Sequence, residues 1–132
     1  MTEQIKLGPV HHVALRVTQL DRSIAFYQDL FGFQLVVALP DVTILSNGAL
    51  ILGLRDQGQV ASGDRFDEFR VGLDHISFAV ASRTDLDRAI QLLDQRDVPH
   101  GEIEDLGKDF GIYVLALRDP DNVQLELTAA YR

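Results

Sequence analysis

Two histidines and one glutamate have residue types and positions that could hold a metal ion. His12 and His75 begin matching segments, residues 12–17 (HVALRV) and 75–80 (HISFAV), and Glu126 lies in the alternating segment 123–128 (VQLELT). Two imidazoles and one carboxylate on one face could bind a divalent cation and leave coordination positions open for substrate, water or oxygen.

The same three residues also have an ordinary structural interpretation. A histidine on a strand is often a surface residue, and Glu126 could face solvent. If their face of the sheet forms a pocket, an unpaired carboxylate there costs several kcal/mol, which a divalent cation or a charged histidine offsets. If that face is open to water, the carboxylate stays solvated and this cost does not arise. The residues alone therefore leave both interpretations open.

Alternating strands would place all three side chains on one side. In residues 12–17 the apolar Val13, Leu15 and Val17 should pack under a helix, because successive strand residues point to opposite faces. The remaining positions of the three segments then point away from the helix: His12, Ala14, Arg16, His75, Ser77, Ala79, Gln124, Glu126 and Thr128.

A helix is predicted after each of the two matching segments. Thr18 and Thr84 are expected to be the N-caps, with Asp21 and Asp87 three residues further on in a variant of the capping box. A short insertion separates the second predicted helix from its strand. The first helix is predicted to end at Gly32.

The chain is thus interpreted as a tandem repeat within one domain, residues 1–132. Each half is a strand, a helix and two or three antiparallel strands, with turns predicted at Asn47-Gly48 and at residues 119–122. The first module spans residues 10–55, a connecting loop 56–72, and the second module 73–129. Matching residues 50–54 with 123–127 makes Gly53 the counterpart of Glu126.

Composition excludes several kinds of site and partner. The 132 residues suit one domain, and the absence of cysteine excludes disulfides, zinc-thiolate sites, iron–sulfur clusters and thiol nucleophiles. A formal net charge of -8 argues against nucleic acid and anionic membranes as partners. We expect a small-molecule substrate and a cytoplasmic location, since no apolar run approaches the roughly 18 residues of a membrane span.

Alternation also indicates which residues could surround the candidate ligands. Tyr113 and Lys108, which precede the last hairpin, are candidates for supplying a proton, whereas His11 and His100 are expected to be structural. His11 should point to the opposite face from His12. The candidates for a substrate pocket are Arg16, Ile51, Gly53, Arg55, Ser77, Gln124 and Thr128.

Several motifs resemble one known superfamily over about residues 10–129. The chain is similar to the vicinal oxygen chelate superfamily, which includes glyoxalases, bleomycin resistance proteins, extradiol dioxygenases, fosfomycin resistance enzymes and methylmalonyl-CoA epimerases. The motifs are residues 11–17 (HHVALRV), 20–23 (LDRS), 26–27 (FY), 30–33 (LFGF), 74–76 (DHI) and 119–127 (DPDNVQLEL).

This resemblance implies an α+β fold of two tandem βαβββ modules. The modules would form a curved, mostly antiparallel eight-stranded sheet around a metal cleft, often in a homodimer. The resemblance also implies that His12, His75 and Glu126 bind one divalent metal, Fe²⁺, Mn²⁺, Zn²⁺ or Ni²⁺. Whether the modules pair within one chain or between two stays open.

Departures from the subfamily patterns bear on the reaction. Glyoxalases have an acidic residue where this chain has Gly53, extradiol dioxygenases a tyrosine where it has Ala116, and fosfomycin enzymes a threonine where it has Ala14. We favour a metal-dependent enzyme with dioxygenase-like chemistry, because two histidines and one carboxylate leave more open coordination than four ligands do. The alternatives are a glyoxalase- or isomerase-type lyase, a fosfomycin-resistance-type transferase and a drug-sequestering protein without catalysis.

Overall fold

The chain folds as two copies of the same arrangement of one helix and four strands. The computed structural model describes residues 2–58, 60 and 63–131, and the chain divides into two compact units, Met1–Ser62 and Gly63–Arg132. Each unit contains one predicted module. Of the predicted connecting loop, Gln59, Ala61 and Ser62 lie outside the described residues.

The two units have the same strand order. In each unit the first strand pairs in parallel with the last, and the other pairs are antiparallel, in the orders β1-β4-β3-β2 and β5-β8-β7-β6. This confirms the predicted α+β class and tandem βαβββ modules, although the short β6 was missed. The elements are β1 Val13–Arg16, α1 Leu20–Phe31, β2 Gln34–Ala38, β3 Thr43–Ser46, β4 Ile51–Arg55, β5 Ile76–Val80, α2 Arg83–Gln95, β6 Glu104–Asp105, β7 Ile112–Arg118 and β8 Gln124–Ala130.

Each helix covers one face of its own sheet. Helix α1 packs against β4 and buries Tyr27, and α2 packs against β8 and buries Leu86 and Leu93. A fully buried leucine contributes roughly 1.5–3 kcal/mol, so this face of each sheet is fixed by apolar packing. In the described part of the chain, neither helix is long and apolar enough to cross a bilayer.

The start of α1 differs from the prediction, and its end agrees with it. The helix begins after Gln19, one residue later than the predicted cap Thr18. The hydroxyl of Thr18 instead accepts a hydrogen bond from the guanidinium of Arg22 at 3.1 Å. Gly32 ends the helix as predicted, in the left-handed conformation with φ 73°, which glycine adopts without the steric cost of a Cβ.

The predicted cap of α2 was wrong by two residues. Ser82 is the N-cap, and its backbone N–H donates to the carboxylate of Asp85 at 3.1 Å in a capping box. Thr84 lies within the first turn, and Asp87 forms an ion pair with Arg83 at 3.3 Å. The insertion that distinguishes the second module itself supplies a better cap, so alignment on the first module misplaced it.

A buried aspartate fixes the start of β8. Asp119 is 4% exposed, and its Oδ1 accepts hydrogen bonds from the backbone N–H groups of Asp121 at 2.8 Å and Val123 at 2.9 Å. Asn122 takes a positive φ of 69°, which asparagine tolerates better than most residues. The turn predicted at residues 119–122 is confirmed, and it sets the register of the strand that carries Glu126.

Candidate metal centre

His75 and Glu126 lie side by side in the second unit. His75 directly precedes β5, and Glu126 pairs with Ser77 in the parallel ladder between β5 and β8. The Nε2 atom of His75 is 3.3 Å from Oε1 of Glu126, and the two side chains are 38% and 20% exposed. The structure therefore brings together two of the three predicted ligands on the face away from α2.

His12 belongs to the first unit and has a different neighbour. Its Nδ1 lies 2.9 Å from Nδ1 of His11, and the two rings meet edge to face with centroids 5.1 Å apart. Alternation predicted that His11 and His12 point to opposite faces. Because β1 begins only at Val13, both histidines lie outside the strand, and the alternation of its side chains does not apply to them. Within residues 2–58, 60 and 63–131, no group of three His, Cys, Asp or Glu side chains is arranged to hold a metal.

The chemistry of His75 and Glu126 fits two ligands of one divalent cation. Nδ1 of His75 lies 2.7 Å from Oδ1 of Asp74. Because a carboxylate only accepts hydrogen bonds, Nδ1 of His75 carries a proton, and Nε2 is the ring nitrogen that faces Glu126 and that a bound cation would take as its ligand. Metal–ligand bonds of about 2.0–2.2 Å at ordinary coordination angles separate two donor atoms by about 3 Å, close to the spacing found here.

A chain of hydrogen bonds extends from His75 to the loop before β5. Nε2 of Gln124 donates to Oδ1 of Asp74 at 3.1 Å, and Oε1 of Gln124 accepts from Arg118 at 3.4 Å. Arg118 in turn donates to both carboxylate oxygens of Glu68 at 2.9 and 2.7 Å. These hydrogen bonds from Arg118 lower the pKa of Glu68 to about 2.

Asp74, Arg118 and Glu68 had no predicted role. An acidic residue directly before a ligand histidine is a signal that could have found Asp74, because ligand histidines usually donate their second N–H to a carboxylate or carbonyl. Glu68 and Arg118 are 50 residues apart in sequence, and only the folded loop brings them together.

The ladders confirm that Gly53 is the counterpart of Glu126. Gly53 pairs with Ala14 in the first unit, and Glu126 pairs with Ser77 in the second. An ideal Cβ at Gly53 would lie 3.2 Å from Cγ2 of Val42 and 3.5 Å from Cβ of Ala14. The first unit therefore has a tightly packed backbone position where the second unit has a carboxylate.

Comparison with known proteins identifies the family. A sequence profile described as the glyoxalase/bleomycin resistance protein/dioxygenase superfamily matches residues 10–127. The chain belongs to this superfamily. Its resemblance to the vicinal oxygen chelate proteins is thereby confirmed.

Several solved structures share the fold of this chain. A glyoxylase/bleomycin resistance protein/dioxygenase domain from Frankia sp. EAN1pec is 32% identical, with 96% of this chain and 95% of that chain covered and a TM-score of 0.81. Lactoylglutathione lyase from Agrobacterium tumefaciens is 24% identical, with 94% and 96% covered and a TM-score of 0.70. The fosfomycin resistance protein FosX from Listeria monocytogenes is 19% identical, with 95% of each chain covered and a TM-score of 0.75.

The pocket candidates in the first unit of this superfamily member lie on β1 and β4. Arg16 and Arg55 are neighbours in the parallel ladder. Arg16 donates to the backbone carbonyl of Gln57, and Arg55 donates to that of Asp41 at 3.1 Å. Ile51, at the start of β4, is 36% exposed. One hydrogen bond to the backbone thus holds each guanidinium.

The pocket candidates in the second unit surround Glu126. Ser77 is its ladder partner, and the hydroxyls of Ser77 and Thr128 are hydrogen-bonded to each other. Gln124 lies two residues before Glu126 on the same face and bonds to Asp74. The structure therefore places these three candidates on the face that carries Glu126, as predicted.

The two candidate proton donors lie elsewhere in the second unit. Tyr113 pairs with Ala129, which is buried on the helix side of β8, so the Tyr113 ring lies on the opposite side of the sheet from Glu126. There it stacks on the ring of Tyr131 with centroids 4.7 Å apart, and the guanidinium of Arg83 lies 5.5 Å from the Tyr113 centroid. Lys108 is exposed in the turn before β7.

His100 has structural partners within the second unit. Its Nε2 lies 2.6 Å from Oδ1 of Asp94 at the end of α2, and its Nδ1 lies 2.6 Å from the carbonyl oxygen of Gly101. The hydrogen bond with Asp94 raises the pKa of His100, and the carbonyl of Gly101 adds to the effect. Both ring nitrogens face acceptors, which favours the imidazolium form.

Proposed function

We propose that this protein is a metal-dependent enzyme in which His75 and Glu126 bind one divalent cation, with His12 as the third ligand. The supporting observation is the 3.3 Å spacing between Nε2 of His75 and Oε1 of Glu126. The hydrogen bond between Nδ1 of His75 and Asp74 directs the other ring nitrogen to that side. Nitrogen and carboxylate donors suit Fe²⁺, Mn²⁺, Zn²⁺ or Ni²⁺.

Dioxygenase-like chemistry on a small substrate is the preferred activity. A bound divalent metal supplies Lewis-acid activation of two neighbouring substrate oxygens, or activation of dioxygen. At the position where four-ligand glyoxalases have an acid, this chain has Gly53, which leaves coordination open for substrate. On the protein side, Ser77 and Thr128 offer hydroxyl groups on the face that carries Glu126.

A homodimer is proposed as the working form. Strand β2 lies at the edge of its sheet, and Leu35, Val36 and Val37 are 53%, 61% and 40% exposed. An edge strand with exposed apolar side chains is a surface that soluble proteins usually cover. Light scattering after size exclusion should give twice the chain mass, and a monomer mass would remove the proposal.

Metal content tests the proposed function. Protein purified without added metal, then offered Mn²⁺, Fe²⁺, Zn²⁺ or Ni²⁺ and dialysed, should retain about one equivalent by elemental analysis. His75→Ala and Glu126→Ala should each lose it, whereas His100→Ala, which removes a histidine bound to Asp94, should retain it. Full retention in His75→Ala would refute the ligand assignment.

A drug-sequestering protein without catalysis is the competing function, and the formal net charge of -8 is the observation that suits a cationic ligand. Such a protein should take up none of the four metals. Oxygen uptake with a panel of vicinal diols then separates a dioxygenase from an isomerase among the metal-binding outcomes.

A further inference from the structure

The ring of the proposed metal ligand His75 is hydrogen-bonded to the carboxylate of Asp74, and this carboxylate is in turn hydrogen-bonded to Gln124. Oδ1 of Asp74 meets Nδ1 of His75 at 2.7 Å and the Nε2 group of Gln124 at 3.1 Å. Gln124 Nε2 also lies 3.1 Å from the backbone carbonyl oxygen of Asp74. One amide group therefore fixes both the side chain and the backbone of the residue that precedes His75.

The direction of the Gln124 amide is set by its second neighbour. Arginine can only donate hydrogen bonds, so the oxygen of the Gln124 amide must face Arg118 and the nitrogen must face Asp74. Arg118 is fixed in turn by two hydrogen bonds to Glu68, whose side chain is 13% exposed. A bidentate arginine–carboxylate pair has a defined geometry, unlike a single charge contact.

We propose that Asp74 and Gln124 are positioning residues, which hold His75 in the Nδ1–H tautomer so that Nε2 points to the Glu126 side. This inference rests on the proposed metal site and adds to it the groups that prepare the ligand. Partners of this kind keep the ring from rotating and make its coordinating nitrogen more basic, and their loss typically lowers metal affinity by 10–100-fold.

Two measurements on the full chain test the proposal. Calorimetry with Zn²⁺ alone reports affinity, and nitrogen-15 NMR of the His75 ring in the metal-free protein, at a pH where the ring is neutral, reports the tautomer. Asp74→Ala should weaken Zn²⁺ binding by about 10–100-fold and populate both tautomers. Asp74→Asn, which keeps an acceptor oxygen, should restore the Nδ1–H tautomer and most of the affinity.

A second variant tests the role of Gln124, and a matched control tests whether the effect is specific to His75. Gln124→Leu removes the amide that holds Asp74 while leaving both residues of the 74–75 pair, and should weaken Zn²⁺ binding by about 10-fold even if Asp74→Ala fails to fold. Asp94→Asn removes the carboxylate beside the other histidine of this unit, His100, and should change neither readout for His75.

The possible outcomes separate this proposal from the proposed function. Wild-type Zn²⁺ affinity and a wild-type His75 tautomer in Asp74→Ala would overturn the positioning role and leave the metal site standing. If the wild-type chain binds no Zn²⁺ but the tautomer still depends on Asp74, the metal site fails and the orientation of the ring by Asp74 is supported. Equal loss of affinity in Asp94→Asn would show a general effect of charge and would also overturn the proposal.

Discussion

Gly53 in β4 and Glu126 in β8 occupy the same ladder position in two sheets of identical strand order. The duplicated unit therefore has an acidic side chain in one copy and only backbone in the other. In the first copy the space is partly taken by Val42, whose Cγ2 lies 3.2 Å from an ideal Cβ at Gly53. This relationship can be tested both for packing and for chemistry.

The packing prediction concerns Gly53→Ala. The added methyl group crowds Val42, a β-branched side chain with little rotamer freedom, so the substitution should destabilise the protein by about 1–3 kcal/mol. Urea unfolding measures this loss. In the double variant with Val42→Ala the two effects should be non-additive, because the second change makes room for the first. Strict additivity would contradict the contact.

The chemical prediction concerns Gly53→Glu in the Val42→Ala background, which provides space. If the units contribute equivalently to the proposed site, the new carboxylate should tighten binding of Zn²⁺ and reduce any oxygen-dependent activity. Gly53→Gln in the same background adds similar bulk without charge and serves as the control. An unchanged metal affinity would count against equivalence of the two positions at the metal.

The His100–Asp94 pair should make stability fall as pH rises through the neutral range. The pKa of His100 is raised in the folded protein, chiefly by the hydrogen bond with Asp94. Its contribution is therefore fully present below the ordinary histidine pKa of 6.5 and is lost as pH rises through the folded-state pKa. Urea midpoints across this range should fall less steeply in His100→Gln. An identical slope in wild type and variant would rule out this origin.

Glu68 should contribute to loss of stability in acid. Its pKa is lowered from 4.5 to about 2 by the hydrogen bonds from Arg118. The contribution is therefore present above pH 4.5 and is lost as pH falls towards 2. Glu68→Gln should be less stable than wild type at neutral pH and should lose less stability over the acid range. The exposed Asp109→Asn is the control, with an acid profile like that of wild type.

Tyr131 should ionise only in strongly alkaline solution. Its hydroxyl donates to Asp105, which raises the pKa of Tyr131 to about 12. Tyrosinate absorbance followed through an alkaline titration should therefore show a late step that disappears in Tyr131→Phe. In Asp105→Asn the same step should move to lower pH, because the neighbouring negative charge is gone. A step unaffected by Asp105→Asn would contradict the assignment.

The sequence was sufficient for the architecture because the two modules repeat the same pattern. Alternation at residues 12–17 and 123–128, together with turn residues such as Gly32 and Asn47, predicted the elements and the faces of β1 and β8. The predicted N-caps of both helices were wrong, because local hydrogen bonds determine where each helix begins. Thr18 bonds to Arg22 instead of capping its helix, and Ser82 caps the second helix because of an insertion that the first module lacks.

The candidate site was predictable only in part. Alternation along β8 predicted the face of Glu126, and the structure places the ring of His75, the residue just before β5, 3.3 Å from its carboxylate. The aspartate before His75 was a usable signal, whereas the Glu68–Arg118 pair was not predictable, because Glu68 reaches Arg118 through the fold of a loop rich in Gly and Asp that has no periodic signal. The orientation of His11 was also missed, since alternation ends where β1 begins.

The carboxylate of Asp119 has a consequence that reaches beyond its own turn. Because strand side chains alternate, sliding β8 by a single residue would carry the acid of Glu126 through the sheet and into the apolar layer under α2, with Leu125 or Leu127 emerging in its place. The hydrogen bonds from the backbone N–H groups of Asp121 and Val123 to Asp119 therefore fix the register of β8. An error at this turn would therefore remove Glu126 from the face shared with His75 as effectively as deleting the glutamate.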